Sequence, residues 1–271
     1  MPVVRETHVV YTIQPRDTLY SIAAGLGSTV EAIVKANALY PPVTTPGLIF
    51  PGMKLVVPTP QIVPYRTIYQ VAPGDTLYQI AFRFSAHMDL IAGVNRATVS
   101  DPNFLRVGQL LWVPAFAYEV ATGDTLSRVS RNFQIPLSAI LQVNEGRPGF
   151  SVDVIYPGYR LLIPLPSSRN IVVIRPLPAD RERSGFRAEG FARAFEANVL
   201  LQVRDDNDVV VSNERPTTAT EGAPAYGYFS AVLPFDRMPT TRNGELWVYT
   251  RSARDGRIED LVQVKIGFTS T

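Results

Sequence analysis

A chain of 271 residues exceeds one ordinary hydrophobic core, and a hydrophobic content of 46% is enough to fill two or more. Its 26 Lys and Arg against 24 Asp and Glu leave a formal charge of +2, with the basic residues scattered, which speaks against a nucleic-acid footprint. The absence of Cys removes disulfides, thiolate metal sites and cysteine nucleophiles together, and only His8 and His87 can offer an imidazole.

The opening stretch, "MPVVRETHVVYTIQPRDT", has no basic segment followed by an apolar one and does not read as a signal peptide. No apolar run reaches the roughly 18 residues that a membrane helix needs, so no span is predicted. Along the chain, Tyr11 and Ile13 alternate with polar neighbours as in a strand, and Asp17-Thr18-Leu19 opens a helix with Asp17 as the predicted N-cap. A second helix ends at Asn37, the Pro-rich "ALYPPVTTPG" follows, and "PGMKLVVP" closes the segment as a strand ending at Pro58.

The same order then returns twice. "YTIQPRDTLYSIA", "YQVAPGDTLYQIA" and "YEVATGDTLSRVS" each place a Tyr six residues before an Asp, at Tyr11 and Asp17, Tyr69 and Asp75, and Tyr118 and Asp124. Twenty residues beyond each Asp stands an Asn: Asn37, Asn95 and Asn144. "VGQLLWVP" and "PGYRLLIP" close the second and third copies at Pro114 and Pro164, and the Asn-to-Gly interval varies only among 15, 13 and 14 residues. The unit is therefore strand, helix, helix, strand, three times over. Trp112, within an apolar closing strand, reads as core.

This ordered set resembles the LysM module, a small βααβ fold, over most of residues 8 to 164. The resemblance implies recognition of N-acetylglucosamine-containing glycans, peptidoglycan or chitin, in a groove between the loop entering the first helix and the loop leaving the second. Carried over by position, the ligand-binding set is Asp17, Thr18, Leu19, Asn37, Ala38 and Leu39 in repeat one. In repeat two it is Gly74, Asp75, Thr76, Leu77, Asn95, Arg96 and Ala97, and in repeat three Gly123, Asp124, Thr125, Leu126, Asn144, Glu145 and Gly146. Within the set, the Asp and Asn side chains read as helix-end groups and the repeated Leu as half core. The lining is credited to the three Thr and the residues after each Asn, with Gly74 and Gly123 allowing close main-chain approach. Repeat one departs from the pattern through Arg16 and its Pro-rich second loop, and repeat three through Glu145 and Gly146 where the family usually has an apolar residue two positions after the Asn, which makes repeat two the best candidate despite Arg96. "TPQIVPYRT" (59–67) reads as a semi-rigid spacer, whereas "AFA" (115–117) ties repeats two and three closely.

After Pro164 come seven strand-like runs, among them "IVVIRP", "NVLLQVRD", "ELWVYTRS" and "DLVQVKIGF", which fit an immunoglobulin-like sandwich. "GFARAFEANVLLQVRDDNDVV" with "YGYFSAVLPF" and "SARDGRIEDLVQV" resembles the Gmad2 domain, a module associated with bacterial sporulation and germination proteins; Glu196 within it implies no activity by itself. The expected fold class is α+β multidomain, with three βααβ LysM modules at 8–59, 67–115 and 117–165 and an all-β immunoglobulin-like sandwich at 169–271.

No catalytic set emerges. Two His residues inside the repeats do not make a zinc amidase site, and the carboxylates Asp205, Asp206, Asp208, Glu259 and Asp260 read as solvated turn charges rather than a glycosidase pair. The expectation is a non-catalytic glycan binder with no metal or cofactor, no nucleic-acid partner, and a sandwich that contacts another envelope or spore protein. The alternatives are a structural coat or assembly protein with little glycan binding, or the targeting subunit of a cell-wall hydrolase. The implied location is the cell envelope or the spore cortex and coat, which mother-cell products reach without export, or the extracytoplasmic wall if a signal peptide has been removed.

Overall fold

The computed structural model describes residues 3–4, 6–45, 47–59 and 66–269. The chain forms two compact units. The first is built from the chain up to Pro164 without Ala86–Val94 and Asn132–Gln134, and the second from those two segments and everything from Leu165 onward.

Each repeat follows the expected order. Repeat one runs β1 (Thr7–Thr12), α1 (Leu19–Leu26), α2 (Val30–Ala36) and β2 (Lys54–Thr59). Repeat two runs β3 (Thr67–Gln70), α3 (Leu77–Arg83), α4 (Met88–Val94) and β4 (Leu110–Val113). Repeat three runs β5 (Ala115–Glu119), α5 (Leu126–Phe133), α6 (Leu137–Asn144) and β6 (Arg160–Pro164). Helices of seven or eight residues are too short to stand alone, so packing rather than propensity holds them. In repeat one the core is Val9, Ile13, Ile22, Ile33, Leu39, Leu55 and Val57. Trp112 lies in the closing strand at 7% exposure, as core.

The repeats do not stand apart. β1 pairs antiparallel with β2, and on its other edge it runs parallel to β3, with Val9 opposite both Val57 and Ile68. One sheet in the order β2-β1-β3-β4 therefore serves repeats one and two. The expected spacer lies largely in residues outside those described, but repeats one and two are joined directly by this shared sheet. Repeat three pairs β5 with β6, and Val4 N–H donates to Ala117 O at 3.0 Å. Thr67 Oγ1 donates to Ala115 O at 2.7 Å.

Buried polar groups fill the junction of the three repeats. Arg147 donates to Asn144 Oδ1 at 2.8 Å, to Arg160 O and to Asn37 Oδ1 at 3.3 Å, with its guanidinium 4.8 Å from the centre of the Tyr159 ring. Arg160 reaches Glu6 at 3.1 Å. His8 is buried between Glu6 O at 3.3 Å and Thr67 Oγ1 at 3.0 Å.

The second unit contains the strands β7 (Ile171–Arg175), β8 (Arg181–Glu182), β9 (Phe186–Ala192), β10 (Asn198–Asp205), β11 (Val210–Thr218), β12 (Gly227–Leu233), β13 (Asn243–Arg251) and β14 (Ile258–Phe268). Seven match the predicted runs; β8, only two residues long, carries no pattern and pairs parallel with β14 at Arg181 and Gly267. A five-stranded sheet, β11-β10-β13-β14-β8, and a three-stranded one, β12-β9-β7, share a core that includes Val173, Val199, Phe229, Leu246 and Val264. The fold class is α+β multidomain.

Burial, with the Arg160 and Arg147 charges adding to it against the opposing Glu6 carbonyl, pulls the His8 imidazole down from 6.5 to about 4. The unfolded chain takes up this proton near 6.5 and the folded chain only near 4. The contribution is thus complete above the unfolded value and is lost as pH falls through the folded one, about 3 kcal/mol in all. Urea unfolding followed at Trp112 in a Trp247→Phe background, at about pH 7 and about pH 4.5, should show the parent losing some 2–3 kcal/mol more than His8→Gln. Equal losses in the two proteins would remove His8 as the source.

Candidate functional site

The loop entering the first helix is built identically in each repeat. Asp17, Asp75 and Asp124 donate their N–H groups to the carbonyls of Gln14, Ala72 and Ala121 at 3.1, 3.2 and 3.1 Å, closing a four-residue turn. Their carboxylates accept the N–H of the same three residues at 2.6, 2.8 and 2.8 Å. They also accept the hydroxyl of the repeat's Tyr: Tyr11 at 2.7 Å, Tyr69 at 2.8 Å, and Tyr118. Burial and the neighbouring Asp push Tyr11 up to about 12, and Tyr69 and Tyr118 move in the same direction, so the phenols remain protonated donors.

The Asp is therefore not the cap. Thr18 and Thr76 are the N-caps, accepting from Ser21 N–H at 3.0 Å and Gln79 N–H at 3.2 Å, and Thr125 accepts from Arg128 N–H at 3.2 Å. The prediction falls one residue short because the Asp carboxylate is already committed to the turn behind it.

Gly74 and Gly123 adopt φ of 85° and 84°, the left-handed conformation this turn needs at its third position. A Cβ at either would meet nothing within 4 Å, so the turn rather than close approach inside the protein explains the glycine. Arg16 holds the same place at φ 74° without that freedom. Arg16→Gly should raise the stability of the first unit by up to about 1 kcal/mol in the same urea titration.

Asn37, Asn95 and Asn144 are buried, at 0%, 8% and 0% exposure. Each is a two-point clip on the closing strand. Asn37 donates to Val56 O at 2.7 Å and accepts from Val56 N–H at 2.8 Å. Asn95 does the same to Trp112, both at 2.8 Å, and Asn144 to Leu162 at 2.8 and 2.9 Å. Removing the amide leaves two buried main-chain groups unpaired, so Asn95→Ala should cost about 2–4 kcal/mol of unfolding free energy. A loss below about 1 kcal/mol would show the clip to be replaceable by solvent.

The structure separates the carried-over residues by accessibility. Thr18, Thr76 and Thr125 are exposed, with Gly74 and Gly123 beside them, and the three Asp are half-buried. Leu77 and Leu126 are buried and Leu19 is half-buried. The second loops differ most: Arg96 and Ala97 are exposed, as are Glu145 and Gly146, whereas Ala38 and Leu39 are buried at 0% and 1%. Leu39 has joined the core of repeat one, so it lines no surface groove. In repeat three the main chain is partly engaged, with Glu145 O accepting from Arg83 at 2.9 Å and Gly146 O from Lys54 N–H at 3.0 Å.

Motif reading missed a cleft of about 390 Å³ beside the first loop of repeat two. Gly74 and Asp75 meet Lys54 of repeat one, Tyr78 and Phe82 of α3, and Gln142 and Glu145 of repeat three there. The exposed Tyr in "DTLY" was its one sequence signal.

Elsewhere, Asp205 is not a solvated charge. Burial pushes its carboxyl up, but bonds from Thr240, Val209 and Asn207 prevail and hold it below the usual range, as the anchor of a turn. Asp206 pairs with Lys265, and Asp208 with Arg204 at 2.7 Å. Among the described residues no three of His, Asp or Glu gather where a metal ion could sit, and no helix is long and apolar enough to cross a membrane.

Comparison with known proteins gives matches to the LysM domain at residues 11–58, 69–114 and 118–164, and to Gmad2, the immunoglobulin-like domain of bacterial spore germination, at 170–257. A putative sporulation-specific glycosylase of Bacillus subtilis, YdhD, is 32% identical over 120 residues, which is 42% of this chain and 27% of that protein. The spore cortex-lytic enzyme SleL of Bacillus cereus is 33% identical over 39% of this chain and 22% of that one, at a TM-score of 0.28. SleL of Bacillus megaterium is 31% identical over 45% and 25%, at 0.22. The chain thus spans about a quarter of the length of these relatives. With LysM matches over more than half of its length, the chain belongs to the LysM family, as three LysM modules followed by a Gmad2 immunoglobulin-like domain.

Proposed function

We propose that the protein is a non-catalytic binder of N-acetylglucosamine-containing glycan, peptidoglycan first and chitin second, acting at the bacterial spore or cell wall through repeat two above all. The observation that carries this reading is the unequal accessibility of the loops. Repeat two exposes Gly74, Thr76, Arg96 and Ala97, repeat three exposes a second loop whose carbonyls are partly engaged, and repeat one buries Ala38 and Leu39. A shallow site built from main-chain amides and small side chains suits the N-acetyl group, whose amide pairs with backbone and whose methyl needs only van der Waals contact.

The relatives named as a glycosylase and as cortex-lytic enzymes support a spore-wall setting, and the overlap covers only a small part of each. In this chain Asp17, Asp75 and Asp124 are engaged by Tyr hydroxyls and turn amides, which leaves none of the three free to act as a general base. The sandwich is proposed to contact a second envelope or spore protein.

The test uses matched caps. Thr18→Trp and Thr76→Trp each lose one capping bond, about 1 kcal/mol, so their folding costs are alike while only the second blocks an open groove. Titration with a long chitooligosaccharide should show at least about a tenfold loss for Thr76→Trp and for Ala97→Trp, and less than about twofold for Thr18→Trp. Equal effects of Thr18→Trp and Thr76→Trp would overturn the ranking, and unaltered binding in all three would overturn the groove. Purified parent should co-sediment with peptidoglycan without releasing soluble muropeptides.

A further inference from the structure

We propose that the cleft where repeats one, two and three meet is a second saccharide subsite, selective for a sugar that carries a carboxylate. The proposal rests on the glycan-binding reading and names what that reading leaves open, the chemistry by which a wall glycan is told from chitin.

Two observations favour a sugar. Tyr78 and Phe82 are exposed at 67% and 60%, a large apolar area to leave in water, and their rings lie 6.4 Å apart and 21° from parallel on consecutive turns of α3. Such a pair offers a platform for the C–H face of a pyranose, in the way aromatic faces take apolar ligand surface. Beside it stand side-chain amides and charges suited to hydroxyl groups, in a solvent-open cleft of about 390 Å³ that the Gly74-Asp75 turn also lines. The turn lines both the cleft and the proposed groove of repeat two, so one glycan strand can occupy both.

The carboxylate preference comes from Lys54. Its ammonium is half-buried and, among the described residues, has no hydrogen-bonding or ion-pairing partner, although it faces this cleft. Burial, with the Arg83 guanidinium adding to it against the opposing Asp75 and Glu145 charges, holds it below the usual lysine range. The other charged groups are spoken for or distant. Arg83 Nη1 is bonded to Glu145 O at 2.9 Å, and the Asp75 carboxylate accepts Tyr69 and Ala72. The Glu145 side chain is exposed and forms no ion pair within 4.0 Å of Lys54 or Arg83. A partly desolvated ammonium that touches no carboxylate within 4.0 Å gains from an anionic ligand group placed against it. An acidic sugar ether or a peptide-stem carboxylate on the strand would supply that group, whereas chitin, which has none, would leave Lys54 unpaired.

The substitution Lys54→Met keeps the aliphatic stem and the main-chain bond to Gly146 O, and Lys54→Arg keeps the charge. Full-length parent and variants are titrated with chitotetraose and with a purified peptidoglycan tetrasaccharide bearing free carboxylates. The parent should prefer the carboxylate-bearing glycan by about tenfold, Lys54→Met should lose that preference while binding chitotetraose like the parent, and Lys54→Arg should restore it. Tyr78→Ala should weaken both glycans. Raised salt should erode the parent's preference and leave chitotetraose binding unmoved. A preference that survives Lys54→Met, or a parent that binds both glycans equally, overturns the subsite while leaving glycan binding intact. A parent that binds neither glycan overturns both readings, and chitotetraose binding by Lys54→Met shows directly that the variant is folded.

Discussion

The side-chain amide of Asn37, Asn95 and Asn144 does in each repeat what a stretch of β-ladder would do elsewhere, pairing with both the N–H and the C=O of one residue in the closing strand. Asn37 and Asn144 also donate to the carbonyls of Ile33 and Ile140, each at 2.8 Å, so the same amide closes the helix it ends. A module of two short helices and a pair of strands has too little apolar surface to fix its own geometry, and a buried amide that both donates to and accepts from one strand residue supplies that definition. The loop after each Asn starts from a fixed point, and the loop before each Thr is pinned by the Tyr and Asp pair at the other end. What the modules hold toward solvent is thus framed by polar contacts that face inward.

A second constraint acts between modules. Arg147 brings a guanidinium to the junction and takes acceptors from two repeats, Asn144 and Asn37, with the face of Tyr159 against it. Burial lowers its pKa, and an isolated charge there would be costly, so the acceptors and ring must be assembled together. This joins repeats one and three through shared buried contacts and not through a linker alone.

Much of this was legible in the sequence because a repeated motif reports on repeated contacts. The Tyr-to-Asp and Asp-to-Asn spacings recur because the turn and the clip recur, and period-two alternation revealed the seven longer strands of the sandwich. The cap was misplaced by one residue since Asp and Thr are both good capping groups and only the structure shows that the Asp oxygens are already used. The inter-module contacts were illegible for the opposite reason. Glu6, His8, Lys54, Arg147 and Arg160 each act once, in contacts that no periodicity carries, and a Lys in a closing strand reads as an outward-facing strand residue until the neighbouring repeats are placed around it.

The same logic accounts for the divergence of repeat one. Its Pro-rich second loop packs against repeat three closely enough that a Cβ at Gly149 would lie 2.3 Å from Val43 Cγ1, and its Ala38 and Leu39 are drawn into the interior. Arg16 meanwhile takes the left-handed place in its turn, at φ 74°, that Gly74 and Gly123 fill in the other repeats. Repeat one has kept the clip and the Tyr and Asp pair, which hold its own fold, and has turned its second loop into an interface for repeat three. Lys54, standing where the other closing strands carry Leu110 and Arg160, then faces outward from that interface into a cleft that none of the three modules could form alone.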